Sequence, residues 1–182
     1  MASTLPELGV VRLHGVSTAR KIIGSERLRD VVGLVARLAL AGIWLISGIL
    51  KAADPPQTLV AVRGYRIFPE SIAGVVAAVL PYLEIALGVL LLLGLATRFA
   101  AILSAVVLVA FIAGVISAAA RGLSIDCGCF GGGGDIEAGQ TAYTAEILRD
   151  VGFGLLAAYL IARPDTPVSI DRLVRRRTEQ PA

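Results

Sequence analysis

The chain has 182 residues, of which 56% are hydrophobic and 17% charged, with a mean hydropathy of +0.79. A soluble domain carries about 25% charged residues; here the apolar excess lies in long blocks, which excludes an ordinary soluble domain and leaves room for one membrane domain. The net charge of +3 is concentrated in two tails, a pattern that fits membrane topology and not nucleic-acid binding.

Residues 1–30 read as a basic cytoplasmic tail containing Arg12, Arg20, Lys21, Arg27 and Arg29, with a short surface helix around Thr18–Leu28. This basic region is too long, and the apolar block after it too complete, for a cleavable signal peptide. A first span is predicted over residues 31–50, ending at Lys51 before Asp54, Pro55 and Pro56, where proline stops the helix. A semi-apolar connection follows, with Tyr65 and Phe68 suited to a membrane interface. The second span is predicted over residues 71–96, with Pro81 bending it and Glu84 inside it; Arg98 marks a short turn. The third covers residues 99–120 and ends at Arg121. The loop over residues 121–142 contains S-I-D-C-G-C-F-G-G-G-G-D, and the run Gly131–Gly134 predicts a mobile segment. A fourth span over residues 143–162 must take in Glu146, Arg149 and Asp150, and residues 163–182 form a second basic cytoplasmic tail. The expected fold is therefore all-α: an integral membrane protein whose residues 31–162 form a four-transmembrane-helix bundle.

Charge sets the orientation. The N-terminal tail, Arg98 and the C-terminal tail from Arg163 hold eleven Lys and Arg; Lys51, Arg63, Arg66, Arg121 and Arg149 make five on the other side. Cytoplasmic loops carry the excess, so both termini are expected in the cytoplasm and the cysteine loop outside the plasma or inner membrane, where disulfides persist.

Cys127 and Cys129 are the leading candidates for chemistry. Residues two apart on an extended segment project to one side, and a disulfide between them closes a small ring. Departures from ideal disulfide geometry make a bond easier to reduce, which favours an exchanging pair over an inert staple. A passive loop clip and a metal site are the alternatives. No metal site is expected, because His14 falls across the membrane and Asp126 and Asp135 are the only nearby helpers. Arg149 and Arg121 are candidate thiolate stabilisers, although Glu146, Arg149 and Asp150 also suit a capping network at a helix start. Within the spans, Arg37 lies thirteen residues before Leu50 and Glu84 thirteen after Ser71. Both fall about 20 Å below the outer boundary at about 1.5 Å per residue, so they are expected to pair across helices. Snorkelling of Arg37, protonation of Glu84, and a quinone or proton role are the alternatives; quinone is the one cofactor left open.

The first span (A-R-L-A-L-A-G-I-W-L-I-S-G-I-L-K-A-A-D-P), the P-Y-L-E-I-A-L-G segment, the D-C-G-C-F-G loop and the L-R-D opening of the fourth helix occur in an order that resembles the MauE family. These are methylamine-utilisation membrane proteins related to the DoxX group, and the resemblance covers Arg37 to Ala162. It implies a four-helix membrane protein that helps mature an exported redox enzyme by disulfide formation, with an extracytoplasmic client or thioredoxin-like protein as partner. With a single cysteine pair the chain cannot run an internal relay between two pairs. A non-catalytic anchor or assembly subunit of an oxidoreductase is the competing function. A solute transporter around Arg37 and Glu84 lacks a repeat or a pair of broken helices. Nucleotide binding lacks the phosphate-loop motif.

Overall fold

The computed structural model describes residues 11–178, with side chains described from Glu26 to Val174. Residues 1–10 and 179–182 of the expected tails lie outside the described residues, as do the side chains of Arg12, Arg20, Lys21, Arg175, Arg176 and Arg177. Six helices appear among the described residues: α1 (Val11–Ala53), α2 (Pro55–Gly64), α3 (Glu70–Leu93), α4 (Thr97–Ala120), α5 (Tyr143–Ala162) and α6 (Ile170–Thr178). The segment expected as a separate surface helix is continuous with the first span, because α1 runs unbroken from Val11.

Three helices among the described residues are long and apolar enough to cross a membrane: Glu26–Ala53, Glu70–Leu93 and Thr97–Ala120. The outward faces of α1, α3 and α4 support that reading. Val35, Val75, Phe99 and Val109 are each at least 60% exposed, an arrangement that water penalises and lipid does not. The interior is built from Leu40, Ala41 and Trp44 of α1, Leu87 and Leu91 of α3, Ala100, Ala101 and Leu108 of α4, and Ala157 and Leu160 of α5. Trp44 Nε1 donates to Ser104 Oγ at 2.9 Å, which satisfies the one polar atom of the indole inside this core.

Two glycines set how closely α1 and α3 approach. A Cβ at Gly48 would lie 2.8 Å from the Pro81 carbonyl oxygen, and one at Gly88 would lie 2.6 Å from Leu45 Cγ. Small residues at such crossings let membrane helices pack backbone to backbone. The crossing also fixes the register, placing Gly48 beside Pro81 and Leu45 beside Gly88.

The connection after α1 is ordered as α2. Asp54 accepts a hydrogen bond from the Gln57 amide at 3.1 Å, and Pro55 and Pro56 occupy the first turn, where no amide donor is needed. The D-P-P sequence therefore stops one helix and starts the next. At the opposite end α6 docks beneath the α3–α4 turn: the Asp171 carboxylate accepts from the amides of Ala96 and Thr97 at 2.8 and 2.9 Å. The described part of the C-terminal segment is thus partly fastened to the bundle.

Candidate functional site

The loop between α4 and α5 is packed, in contrast to the mobile segment that four glycines suggested. Ile125–Asp126 and Gly134–Asp135 form an antiparallel pair, with Ile125 opposite Asp135 and Asp126 opposite Gly134. This hairpin lies flat on α2. A Cβ at Gly128 would come within 2.7 Å of Ala61 Cβ, and one at Gly133 within 2.5 Å of the same atom. Both glycines also have positive φ, +69° and +103°. The glycine run is a close-approach surface, and Gln57 Nε2 secures it by donating to the Gly133 carbonyl at 2.8 Å.

Beneath the loop lies a buried polar cluster that sequence reading did not assemble. Lys51 Nζ sits 2.7 and 2.9 Å from the two Glu84 carboxylate oxygens, with Glu84 fully buried. Lys51 Nζ also donates to Ser47 Oγ at 2.7 Å. Ser47 Oγ lies 2.7 Å from the Cys129 carbonyl and 2.9 Å from Glu84, and Lys51 Nζ is 3.5 Å from the same carbonyl. The ion pair thus grips the backbone of the cysteine loop.

This geometry corrects the expected Arg37–Glu84 pair. Glu84 bonds Lys51, while Arg37 Nη2 donates to the Val168 carbonyl at 2.9 Å, at the other end of the bundle beside Gly94. The expectation counted equal distances from the two helix ends. In the structure α3 projects past the end of α1, where α2 flanks it, so equal counts are unequal depths. Lys51 had been read as a boundary marker; the signal for its role was Ser47, one turn earlier on the same helical face.

Cys127 and Cys129 are both free thiols and both buried, packing with Val115, Tyr65, Phe111, Tyr143 and Ile147. Arg149 Nη2 lies 3.6 Å from Cys127 Sγ, its Nε pairs with Asp150 at 3.1 Å, and its guanidinium stacks 5.0 Å from the Phe130 ring centre. The Cys129 amide donates to Cys127 Sγ at 3.4 Å, and Tyr65 Oη donates to the Cys127 carbonyl at 3.1 Å. The two thiols are consequently unequal. The Cys129 thiol's hydrogen bond holds Cys127 below the ordinary thiol range, helped by the Cys129 amide and Arg149 against the effect of burial. Cys129 is pushed far up, by that same hydrogen bond and by burial. Burial, and then the nearby thiols, also push Tyr65 far up.

Arg121 does not join this group. Its guanidinium donates to the carbonyls of Tyr65, Arg66 and Ser117, which fastens the end of α4 to the connection after α2. Asp135 pairs instead with Arg66 at 3.2 Å. Asp150 is buried beside Arg149, Tyr65 had been expected at the membrane interface, and Ser47 carried no motif that marked it.

A mostly helical chain with three membrane-length apolar helices, closed at one end by a packed C-x-C hairpin, defines a small polytopic membrane protein. The chain belongs to the MauE family: the family described as "Methylamine utilisation protein MauE" matches residues 29–163. It is also similar to the "Methylamine utilization protein MauE" of Paracoccus denitrificans, at 34% identity over 107 residues, or 58% of this chain. The chain spans 58% of the length of that curated relative. No solved structure matches.

Proposed function

We propose that this chain is a membrane-embedded maturation factor in which Cys127 and Cys129 exchange thiols and disulfides with an extracytoplasmic client of the methylamine-utilisation type. The observation that carries this reading is the asymmetry of the pair. Both residues are buried, yet the Cys127 sulfur faces a guanidinium and a backbone donor at 3.6 and 3.4 Å, and Cys129, two residues on, has no cationic donor at its sulfur among the described residues. Exchange chemistry needs such a division between an attacking and a resolving thiol.

In the reduced pair, the Cys127 thiolate attacks the disulfide of a thioredoxin-like partner. A Cys127–sulfur bond forms, the partner's disulfide breaks, and one partner thiolate leaves. Cys129 then gives up its proton and attacks Cys127 Sγ, releasing the second partner thiolate. Two electrons have passed to the partner, and Cys127 and Cys129 are joined. A client dithiol reverses these steps on the oxidised pair and leaves with its own disulfide. A membrane quinone is the alternative two-electron acceptor. A cavity of about 290 Å³ lined by Lys51, Asp54, Gln57, Thr58 and Gly128 lies beside the loop, although neither cysteine lines it.

We read α5 as a fourth crossing. It runs from the cysteine loop to Arg29, whose carbonyl accepts from Tyr159 Oη at 3.2 Å, and so covers the same height as α1. Both termini are then cytoplasmic. Its charged residues Glu146, Arg149 and Asp150 all lie in the half nearest the cysteines, with Glu146 and Asp150 buried and Arg149 partly so. A second reading, a non-catalytic assembly subunit, is favoured by the burial of both sulfurs. Trapping separates the two. In intact cells, Cys129→Ser should accumulate a mixed disulfide through Cys127, and an impermeant thiol reagent should label the reduced protein. Full client maturation by the double serine variant would refute exchange and leave the assembly role.

A further inference from the structure

At Cys127 the thiol is joined by two carboxylates that the exchange reading does not use. Asp126, Cys127 and Glu146 each bring one ligand atom, and these atoms all lie within 4.8 Å of one another. They come from the hairpin strand and from the first turn of α5, so sequence spacing did not bring Glu146 together with the other two. Glu146 is 8% exposed, and its Oε2 has no hydrogen-bond partner. A buried carboxylate oxygen without a donor is costly, and the start of α5 offers only a partial positive charge in compensation. Arg149, one turn further along α5, is already engaged by Asp150 and leans on Cys127. Three groups able to carry negative charge therefore share a pocket with one guanidinium that is already paired.

The geometry points to a divalent transition-metal site, of the zinc class, formed by Asp126, Cys127 and Glu146. Zinc accepts thiolate at about 2.3 Å and carboxylate oxygen at about 2.0–2.2 Å, which sets ligand atoms roughly 3.3–3.8 Å apart in a tetrahedron. Separations of up to 4.8 Å close to that spacing by side-chain rotation of about one ångström. The mixed sulfur and oxygen set suits zinc better than calcium or magnesium, which want oxygen alone. Three protein ligands leave a fourth position open, and binding displaces the Cys127 thiol proton. Asp126 Oδ1 accepts from the Gly128 amide at 3.1 Å, which holds its carboxylate in the hairpin and facing the site. Because the metal and a Cys127–Cys129 bond need the same sulfur, the two states exclude each other.

The test is Co²⁺ titration of the full chain, reduced, in detergent micelles. Co²⁺ should bind at one equivalent with thiolate-to-cobalt charge-transfer absorption, and Zn²⁺ should displace it. Cys127→Ser should abolish the band, while Glu146→Gln and Asp126→Asn should each weaken binding about tenfold or more at unchanged helicity. Cys129→Ser, which cannot complete thiol exchange, should keep the band, so the outcome is independent of the redox reading. Absence of the band in the parent protein would overturn the site. So would a band lost in Cys129→Ser but untouched by Glu146→Gln and Asp126→Asn, which would assign the metal to the C-x-C pair alone.

Discussion

Glu84→Gln is the sharpest perturbation of the ion pair that grips the cysteine loop. It leaves the Lys51 ammonium buried, with the Ser47 hydroxyl at 2.7 Å and the Cys129 carbonyl at 3.5 Å in place of a carboxylate held at 2.7 and 2.9 Å. Removing one partner of a buried pair costs about 3–5 kcal/mol. At about 1.4 kcal/mol per decade, the folded-to-unfolded ratio should fall by two to three powers of ten or more. Lys51→Met combined with Glu84→Leu removes both charges and should cost less than Glu84→Gln alone, since apolar replacement of a whole buried pair is often neutral. The assay is unfolding of the micelle-bound protein by a denaturing detergent, followed by helicity and by Trp44 fluorescence. Trp44 is the chain's single tryptophan, and it packs 6.4 Å from the Phe111 ring. Glu137→Gln, on the exposed loop, should stay within about 0.5 kcal/mol of the parent. A loss below about 1 kcal/mol for Glu84→Gln, or a double variant as costly as the sum of its singles, would refute the reasoning.

The remaining predictions concern the loop and its supports. Gly133→Ala, at φ +103° and facing Ala61, should loosen the hairpin and speed alkylation of Cys127 severalfold, whereas Gly131→Ala, with open space around its Cβ, should carry only the backbone strain of about 1–3 kcal/mol. The alkylation rate of reduced Cys127, measured with chelator present, should rise with pH through a midpoint below the ordinary thiol range. Cys129→Ala should move that midpoint up more than Arg149→Gln does, because the Cys129 hydrogen bond contributes more than the guanidinium. Asp171→Ala should cost about 0.5–2 kcal/mol by uncapping α4, read as a lowered unfolding midpoint.

Much of this molecule was legible because lipid imposes simple rules on a sequence. The helix over residues 143–162 was placed at its observed bounds, and the C-G-C-F-G loop with its flanking segments pointed to the family that the comparisons show. What failed were statements that needed two helices in register. Arg37 and Glu84 have equal counts from their span ends, yet α3 overshoots α1, a fact set by the Gly48 and Gly88 crossing and invisible to hydropathy. The glycine run was misjudged for a related reason. Glycine marks either freedom or close approach, and only the position of Ala61 on α2 decides which. Lys51 was hidden by its place at the end of an apolar block, where a lysine ordinarily signals the water boundary.

The overshoot of α3 has a consequence for how anything reaches the sulfurs. Glu70 opens α3 fourteen residues before Glu84, about 21 Å at 1.5 Å per residue, and the Cys129 carbonyl is tied to the level of Glu84 through Ser47 and Lys51. The hairpin therefore packs at the level of Glu84, well below the Glu70 end of α3, where Ser47, Gln57 and Tyr65 hydrogen-bond to its backbone carbonyls. With Cys127 9% and Cys129 8% exposed, the proposed exchange therefore requires the hairpin to shift before a partner's sulfur can meet Cys127.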